Sequence, residues 1–352
     1  MYDLETYLSP VWEGNVLSYE TILFVGEEDE ATLLYPIDEI VGVYDYGQEK
    51  IYRAGQDYEL LEGKLKRVKG GEMPYIPVEE YYRETPANVS VAVVEERCKE
   101  APYGRGFFAF GEEDTFTKRQ VCITYKHAAP WTGKKPVGKS KVFAAALKKL
   151  SQKEPFSLLF YGDSITTGCN SSGLPQGGNT PPHAESFPVM VWKKLQKTFD
   201  TEIAYHNTAV GGWNTNNGLE NFQEKVLFSK QDMLVLGFGM NDGGSDVGQY
   251  AARIEEMLVR FHEENPSSPV VLLATMLPNI HSNWLRNQPL QAAALLALEK
   301  KYPFVAVADM TEMHGELLKR KRYRDMTGNN VNHPNDFLAR VYAQVILKTV
   351  LG

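Results

Sequence analysis

The sequence predicts two fold classes in succession: an all-β domain of sandwich or jelly-roll-like character, then an α/β domain with a five-stranded parallel sheet between helical layers. Two observations carry this. Before residue 130, short runs of Val, Ile, Tyr and Phe are broken at close spacing by Gly, Asp, Glu or Pro, with no long helical period, as in all-β modules. From residue 155, near-continuous apolar runs alternate with segments of helical period, as strands do when helices cover both faces of their sheet. The segment HAAPWTGKKPVG, 127–138, is rich in Pro, Gly and small residues and reads as the connector. The division is accordingly placed at 1–132 and 133–352.

In the first part the strand candidates are ETILFV, ATLLYP, EIVGVYDYG, KIYRAGQDYELLEGKLKRV, NVSVAVVEE, GRGFFAFG and RQVCITYKH. Nothing in this part has the look of a catalytic cluster. KSKVFAAALKKLSQ then has good helix formers and apolar positions at helical spacing. In the second part FSLLFY, EIAYHNTAV, DMLVLGFG, VVLLATMLP and FVAVADM read as strands. FPVMVWKKLQKTF, NFQEKVLF, QYAARIEEMLVRFHEE, QAAALLALEKKY and the final FLARVYAQVILKTV read as helices.

Composition narrows the function classes. The chain has 352 residues and a formal charge of -8, and no Lys/Arg block is long enough for a nucleic-acid arm. The short runs KLKRVKG (64–70) and KRKRY (319–323) read as solvated faces. No apolar run approaches the roughly 20 residues of a membrane span, and MYDLETYLSP lacks the features of a signal peptide. Cys98, Cys122 and Cys169 are scattered, without metal or disulfide spacing. The expectation is a cytoplasmic protein with neither nucleic acid nor membrane as partner; the oligomeric state is left open.

Four blocks in the second part carry chemistry. SLLFYGDSITTG places Ser164 where a buried strand opens into a turn, and ligands of open α/β sheets gather at such carboxyl ends. NTAVGGW (207–213) has paired glycines that permit close backbone approach and a free amide. In GMNDGG, Asn241 follows a strand and can aim its amide at a developing oxyanion. NHPND places His333 in a polar loop ahead of the last helix. By contrast, GKKPVGKS (133–140) matches a phosphate loop only in letters. Six residues separate it from the strand before it, and Pro136 removes a cradling amide.

Together, GDS, the NTAVGGW glycine, GMND and the late His-Pro resemble the SGNH (GDSL-type) esterase and lipase superfamily over residues 155–352. The G-x-S-x-G elbow of ordinary α/β-hydrolases is absent. The resemblance implies a flavodoxin-like three-layer α/β/α hydrolase domain over 133–352, with Ser164 as nucleophile and His333 as general base. The oxyanion would be held by the Ser164 and Gly212 amides and the Asn241 side chain, and no metal or organic cofactor is implied. The family's aspartate three residues before the histidine is replaced here by Asn330. Three readings follow: Asn330 or a backbone carbonyl orients the ring, Asp325 or Asp336 substitutes, or the enzyme is crippled. The first is favoured, because hydrogen-bond orientation alone supports catalysis in Cys-His-Asn enzymes.

Near these blocks, Asp163 and Trp213 are candidate substrate-binding residues, Trp213 as a sugar-stacking platform or simply as packing. His183 is assigned to a surface loop, and Cys169 is given no chemistry, since no basic neighbour lowers its pKa. A β module ahead of an SGNH domain is similar in organisation to carbohydrate esterases that remove O-acetyl groups. The expected substrate is therefore a small-molecule or oligosaccharide ester. The alternatives are a lipase, lysophospholipase or thioesterase for longer acyl chains, and a non-catalytic glycan-binding protein on a degenerate scaffold.

Overall fold

The computed structural model of the chain describes residues 2–98, 101 and 106–352. Its strands in the first part are β1 (Val16–Ile22), β2 (Glu39–Asp45), β3 (Tyr58–Leu61), β4 (Lys64–Arg67), β5 (Tyr82–Arg83), β6 (Phe107–Phe108) and β7 (Val121–Lys126). The second part contributes β8 (Ser157–Gly162), β9 (Ala204–Asn207), β10 (Met233–Gly237), β11 (Val270–Ala274) and β12 (Val305–Asp309).

The first part pairs antiparallel. β7 lies between β1 and β2, and β3–β4 and β5–β6 form two-stranded ladders. The β3–β4 hairpin turns through Glu62 and Gly63, both at positive φ as a two-residue type I′ loop requires. Of the expected strands, ATLLYP has no ladder, because side chains take its amides. Glu20 accepts from the Leu34 N–H at 2.9 Å and the Tyr125 hydroxyl from the Tyr35 N–H at 3.2 Å. NVSVAVVEE makes only isolated bridges, since it leans on the second part: the Val94 N–H donates to the His281 carbonyl and the Ala92 N–H to Asn283. Residues 104 and 105 of GRGFFAFG lie outside the described residues, and Phe107–Phe108 form β6.

The second part is the expected parallel sheet, in the order β9-β8-β10-β11-β12. Counted within this part, that is the flavodoxin-like order 2-1-3-4-5. Alternation along β8 feeds two cores: Leu158 and Phe160 face one, Leu159 and Tyr161 the other. The helix Val247–Glu264 packs with Gln288–Lys301 over the second core. Over the first core lie Phe187–Phe199 and Asp336–Leu351. The last helix is apolar almost all round because it is covered twice, by the sheet and by the N-terminal segment. Gln344 fastens that cover: its amide donates to the Tyr7 and Ser9 carbonyls and accepts from the Val11 N–H. The same apolar cluster joins Trp12, Val43 and Tyr125 to Phe337 and Val341.

One charge reading is corrected. KRKRY is no solvated face, for Lys321 is fully buried and pairs with the equally buried Glu20 of β1 at 2.6 Å. Its ammonium also donates to the Thr21 carbonyl at 2.8 Å, while the Tyr125 hydroxyl donates to the other Glu20 oxygen at 2.7 Å. In the 133–140 segment, Lys139 pairs with Glu299 and donates to the Val307 carbonyl rather than facing an open loop. Removing one member of a buried pair leaves the other uncompensated. Lys321→Met is therefore expected to destabilise the fold by about 3–5 kcal/mol, read as a lower urea midpoint. Adding Glu20→Gln should recover part of the loss; no recovery would mean the pair is not what Lys321 supplies.

Candidate active site

The site forms at the carboxyl ends of β8 and β10, where the sheet order reverses direction. β8 and β10 approach so closely that a Cβ on Gly162 would lie 2.2 Å from the Gly237 carbonyl oxygen. Directly after Gly162, Asp163 caps the short helix Ser164–Thr167 by accepting from the Ile165 N–H at 3.0 Å. Gly168, at φ +93°, ends that helix within one turn. Ser164 thus sits at the first helical position, where an N–H has no partner within the helix.

The loop before the last helix brings His333 over Ser164. Its Nε2 lies 2.9 Å from the Ser164 Oγ, and both residues are buried. On the far side of the ring, Nδ1 meets the Asn170 Oδ1 at 2.7 Å and the Glu112 Oε2 at 3.3 Å. Two acceptors at Nδ1 place the proton there, which leaves the Nε2 lone pair facing the serine hydroxyl. The loop itself is wound about Asn329, whose Oδ1 accepts from the backbone N–H groups of Val331, Asn332 and His333. The Asn329 amide donates to the Glu112 Oε1 at 3.2 Å. Burial pushes the Glu112 carboxyl up, but hydrogen bonds from His333, Asn329 and Asn170 prevail and hold it below the usual carboxylate range.

Facing Ser164 are Gly211, Gly212 and Asn241. The Trp213 N–H closes a turn on the Val210 carbonyl, and Gly212 occupies its third position at φ +78°. The peptide between the two glycines is therefore the outer one of the turn, outside its closing bond. Asn241 stands on a short 3-10 turn just beyond β10, with its amide donating to the Trp213 carbonyl at 2.9 Å. Asp242 beside it is buried and receives the Thr215 N–H, which fixes the Asn241 turn on the glycine loop. Ser164, Gly211, Gly212 and Asn241 border a cavity of about 580 Å³ whose other walls include Phe110, Glu112, Trp284 and Val331.

Ser164, His333, Gly212 and Asn241 thus converge, while the readings of Asn330, of Asp325 or Asp336, of Asp163 and of Trp213 as a stacking platform are corrected. Asn330 does not touch His333. Held at φ +69°, it accepts from the Tyr81 hydroxyl and donates to the Ala109 carbonyl. Asp325 accepts from the Leu23 N–H and Asp336 from the Ser172 N–H, so neither substitutes for it. Asp163 is buried beneath the site as a helix cap rather than a substrate contact; burial pushes its carboxyl up to about 7 against the N–H groups of Ile165, Met240 and Thr166. Trp213 spends its ring on packing, edge-on to Tyr161 in the core. Cys169 lines the cavity, but burial raises its thiol pKa, which keeps it protonated.

Asn170 and Glu112 were not identified from the sequence. Asn170 lies six residues after the serine, two beyond the end of its block, and its position behind the short helix is the one signal that was available. Glu112 stands 221 residues from the histidine, in the part that showed no catalytic cluster. No spacing rule reaches across that separation.

A strand-end Ser-His site on a 2-1-3-4-5 sheet defines the class, and the profile of the GDSL-like Lipase/Acylhydrolase family matches residues 160–340. The chain belongs to that family. Among solved structures it is similar to a two-domain esterase, CEX, active on acetylated mannans and co-crystallized with mannopentaose (18% identity, TM-score 0.47, 60% of this chain and 53% of that chain). It is also similar to a catalytic mutant of Axe2, an acetylxylan esterase from Geobacillus stearothermophilus (16% identity, TM-score 0.47, 56% and 96% of the two chains). A third is an alpha/beta hydrolase from the metagenome of Lake Arreo, Spain (16% identity, TM-score 0.46, 55% and 93%). The chain spans about half the length of the two-domain esterase. No curated protein sequence matches it.

The Asn330 geometry is directly testable. Asn330→Asp would set a carboxylate oxygen against the Ala109 carbonyl in a buried position without approaching the imidazole. It should lower stability by about 1–3 kcal/mol, read as a lower urea midpoint. A stability equal to wild type would show that this amide does not donate to Ala109.

Proposed function

We propose that the chain is a serine esterase that removes short acyl groups, above all O-acetyl, from carbohydrates through an acyl-serine intermediate. The observation that carries the reaction class is the Ser164 Oγ at 2.9 Å from an imidazole whose opposite nitrogen is held by Asn170 and Glu112. As Oγ bonds the ester carbonyl carbon, its proton passes to the His333 Nε2. The carbonyl oxygen becomes an oxyanion, and the donors facing it are the Ser164 and Gly212 N–H groups and the Asn241 amide. The intermediate collapses as His333 returns the proton to the departing alcohol oxygen. A water, deprotonated by the same nitrogen, then attacks the acyl carbon and frees Ser164.

The substrate class rests on the cavity walls. Phe110 and Trp284 offer aromatic faces, while Glu112, Gln176 and Asn332 offer polar groups, the mixture a sugar's CH faces and hydroxyls call for. A second reading, hydrolysis of longer acyl chains, is favoured by the apolar stretch that Val89, Phe110, Trp284 and Val331 contribute.

Aryl esters from acetate to dodecanoate separate these readings. Acetate turnover that falls beyond butyrate and vanishes in Ser164→Ala is the expected result, and a preference for long chains would move the substrate to lipids or thioesters. Absence of Ser164-dependent turnover at every length would make the chain a binding protein on an esterase scaffold. In the same assay, Asn241→Ala should lower kcat by about 10²–10³ with a smaller change in KM. A change confined to KM would remove Asn241 from the oxyanion site.

A further inference from the structure

We propose that Glu112, delivered by the N-terminal β-rich part, supplies the negative charge of the catalytic site that the family's aspartate supplies elsewhere, so that the reactive constellation is completed across the two parts of the chain. This rests on the reading of Ser164 and His333 as an esterase pair. With Asn330 turned toward Tyr81 and Ala109, the position three residues before the histidine contributes nothing to the imidazole. Asn170 lies closest to Nδ1, at 2.7 Å, and fixes the ring and its tautomer. A neutral amide, however, does little to offset the positive charge that the ring gains when it takes the serine proton.

Glu112 supplies what Asn170 lacks. Among the described residues it is the carboxylate within 4.0 Å of the imidazole, with its Oε2 3.3 Å from Nδ1. Both oxygens are engaged on the histidine loop, Oε2 with the ring and Oε1 with the Asn329 amide that organises the loop. Asn170 ties the same segment down from the other side by donating to the Glu113 carbonyl at 3.2 Å. Glu112 and the cavity wall Phe110 come from one stretch of chain, so the docking that shapes the mouth also sets the charge. The Glu112 side chain keeps 44% of its exposure, so solvent screens it and its effect is smaller than that of a buried triad aspartate. The other titratable groups around the ring are Glu113 and Cys169 on the cavity wall, Asp163 beneath the serine, and Asp336 on the following helix.

Glu112 is thus a positioning residue that acts through His333, and the test separates charge from shape in the full-length chain. Glu112→Gln keeps the size and the hydrogen-bonding capacity but removes the charge. On an aryl acetate it should lose about 10- to 100-fold in kcat, with KM within a few-fold of wild type. Glu112→Asp, which keeps the charge farther from the ring, should fall between wild type and Glu112→Gln in kcat. Glu112→Gln turning over within twofold of wild type, while Ser164→Ala is inactive, would overturn the assignment. So would an equal loss in the Gln and Asp variants, which would mark Glu112 as a purely structural contact. If wild type itself shows no Ser164-dependent turnover, it is the esterase reading that fails.

Discussion

The docking of residues 321–335 onto the N-terminal antiparallel sheet is the constraint on which the rest of the site depends. It is polar and buried. Lys321 pairs with Glu20 of β1, Asp325 accepts from the Leu23 N–H, and the Asn335 amide donates to Thr21, Gln120 and the Asp325 carbonyl. Asn335 is also the cap of the last helix, through the Leu338 N–H. One residue thus anchors that helix and locks the histidine loop to the sheet. Buried polar groups tolerate few alternative arrangements, since each unmade bond carries its full desolvation cost. That rigidity places an imidazole from the far end of the chain within hydrogen-bond reach of Ser164.

Seen from Ser164, the site is a meeting of short-range and long-range elements. The nucleophile, its capping Asp163 and the ring-holding Asn170 lie within one short stretch of the chain, held by a one-turn helix. Asn241 and the glycine turn come from the ends of β10 and β9, the strands on either side of β8, and parallel pairing brings those ends together around Ser164 without further instruction. His333 and Glu112 come from opposite sides of the docking surface. The N-terminal part is therefore built into the active-site wall through Val89, Phe110 and Glu112, where an appended module would have left the site whole without it.

The same docking explains where charge was misread. KRKRY looks like other short basic runs, and most such runs are solvated; in KLKRVKG, on the β3–β4 hairpin, Lys64 and Lys69 are exposed, while Arg67 is partly buried and donates to the Gly26 and Glu28 carbonyls. What distinguishes Lys321 is the acceptor set waiting for it in β1. Glu20, at the start of the strand candidate ETILFV, is buried and accepts from Lys321. ATLLYP was misread for a related reason, because side-chain acceptors on β1 and β7 replaced the ladder partner that a strand assignment presumes.

By itself the sequence determined the parallel sheet, the β-rich character of the first part, the family, and the convergence of Ser164, Gly212, Asn241 and His333. These follow from local periodicity and from motifs at strand ends, which the topology of an open α/β sheet gathers on one edge. Only the tertiary structure decided what faces the far side of the histidine. Asn330 sits at the expected spacing, yet its left-handed backbone and the Tyr81 and Ala109 partners turn it away, while Glu112 arrives from 221 residues upstream. The physical reason is that spacing along a chain specifies orientation only where the backbone is regular. In a loop, direction is set by whichever donors and acceptors surround it, and here those belong to another part of the fold.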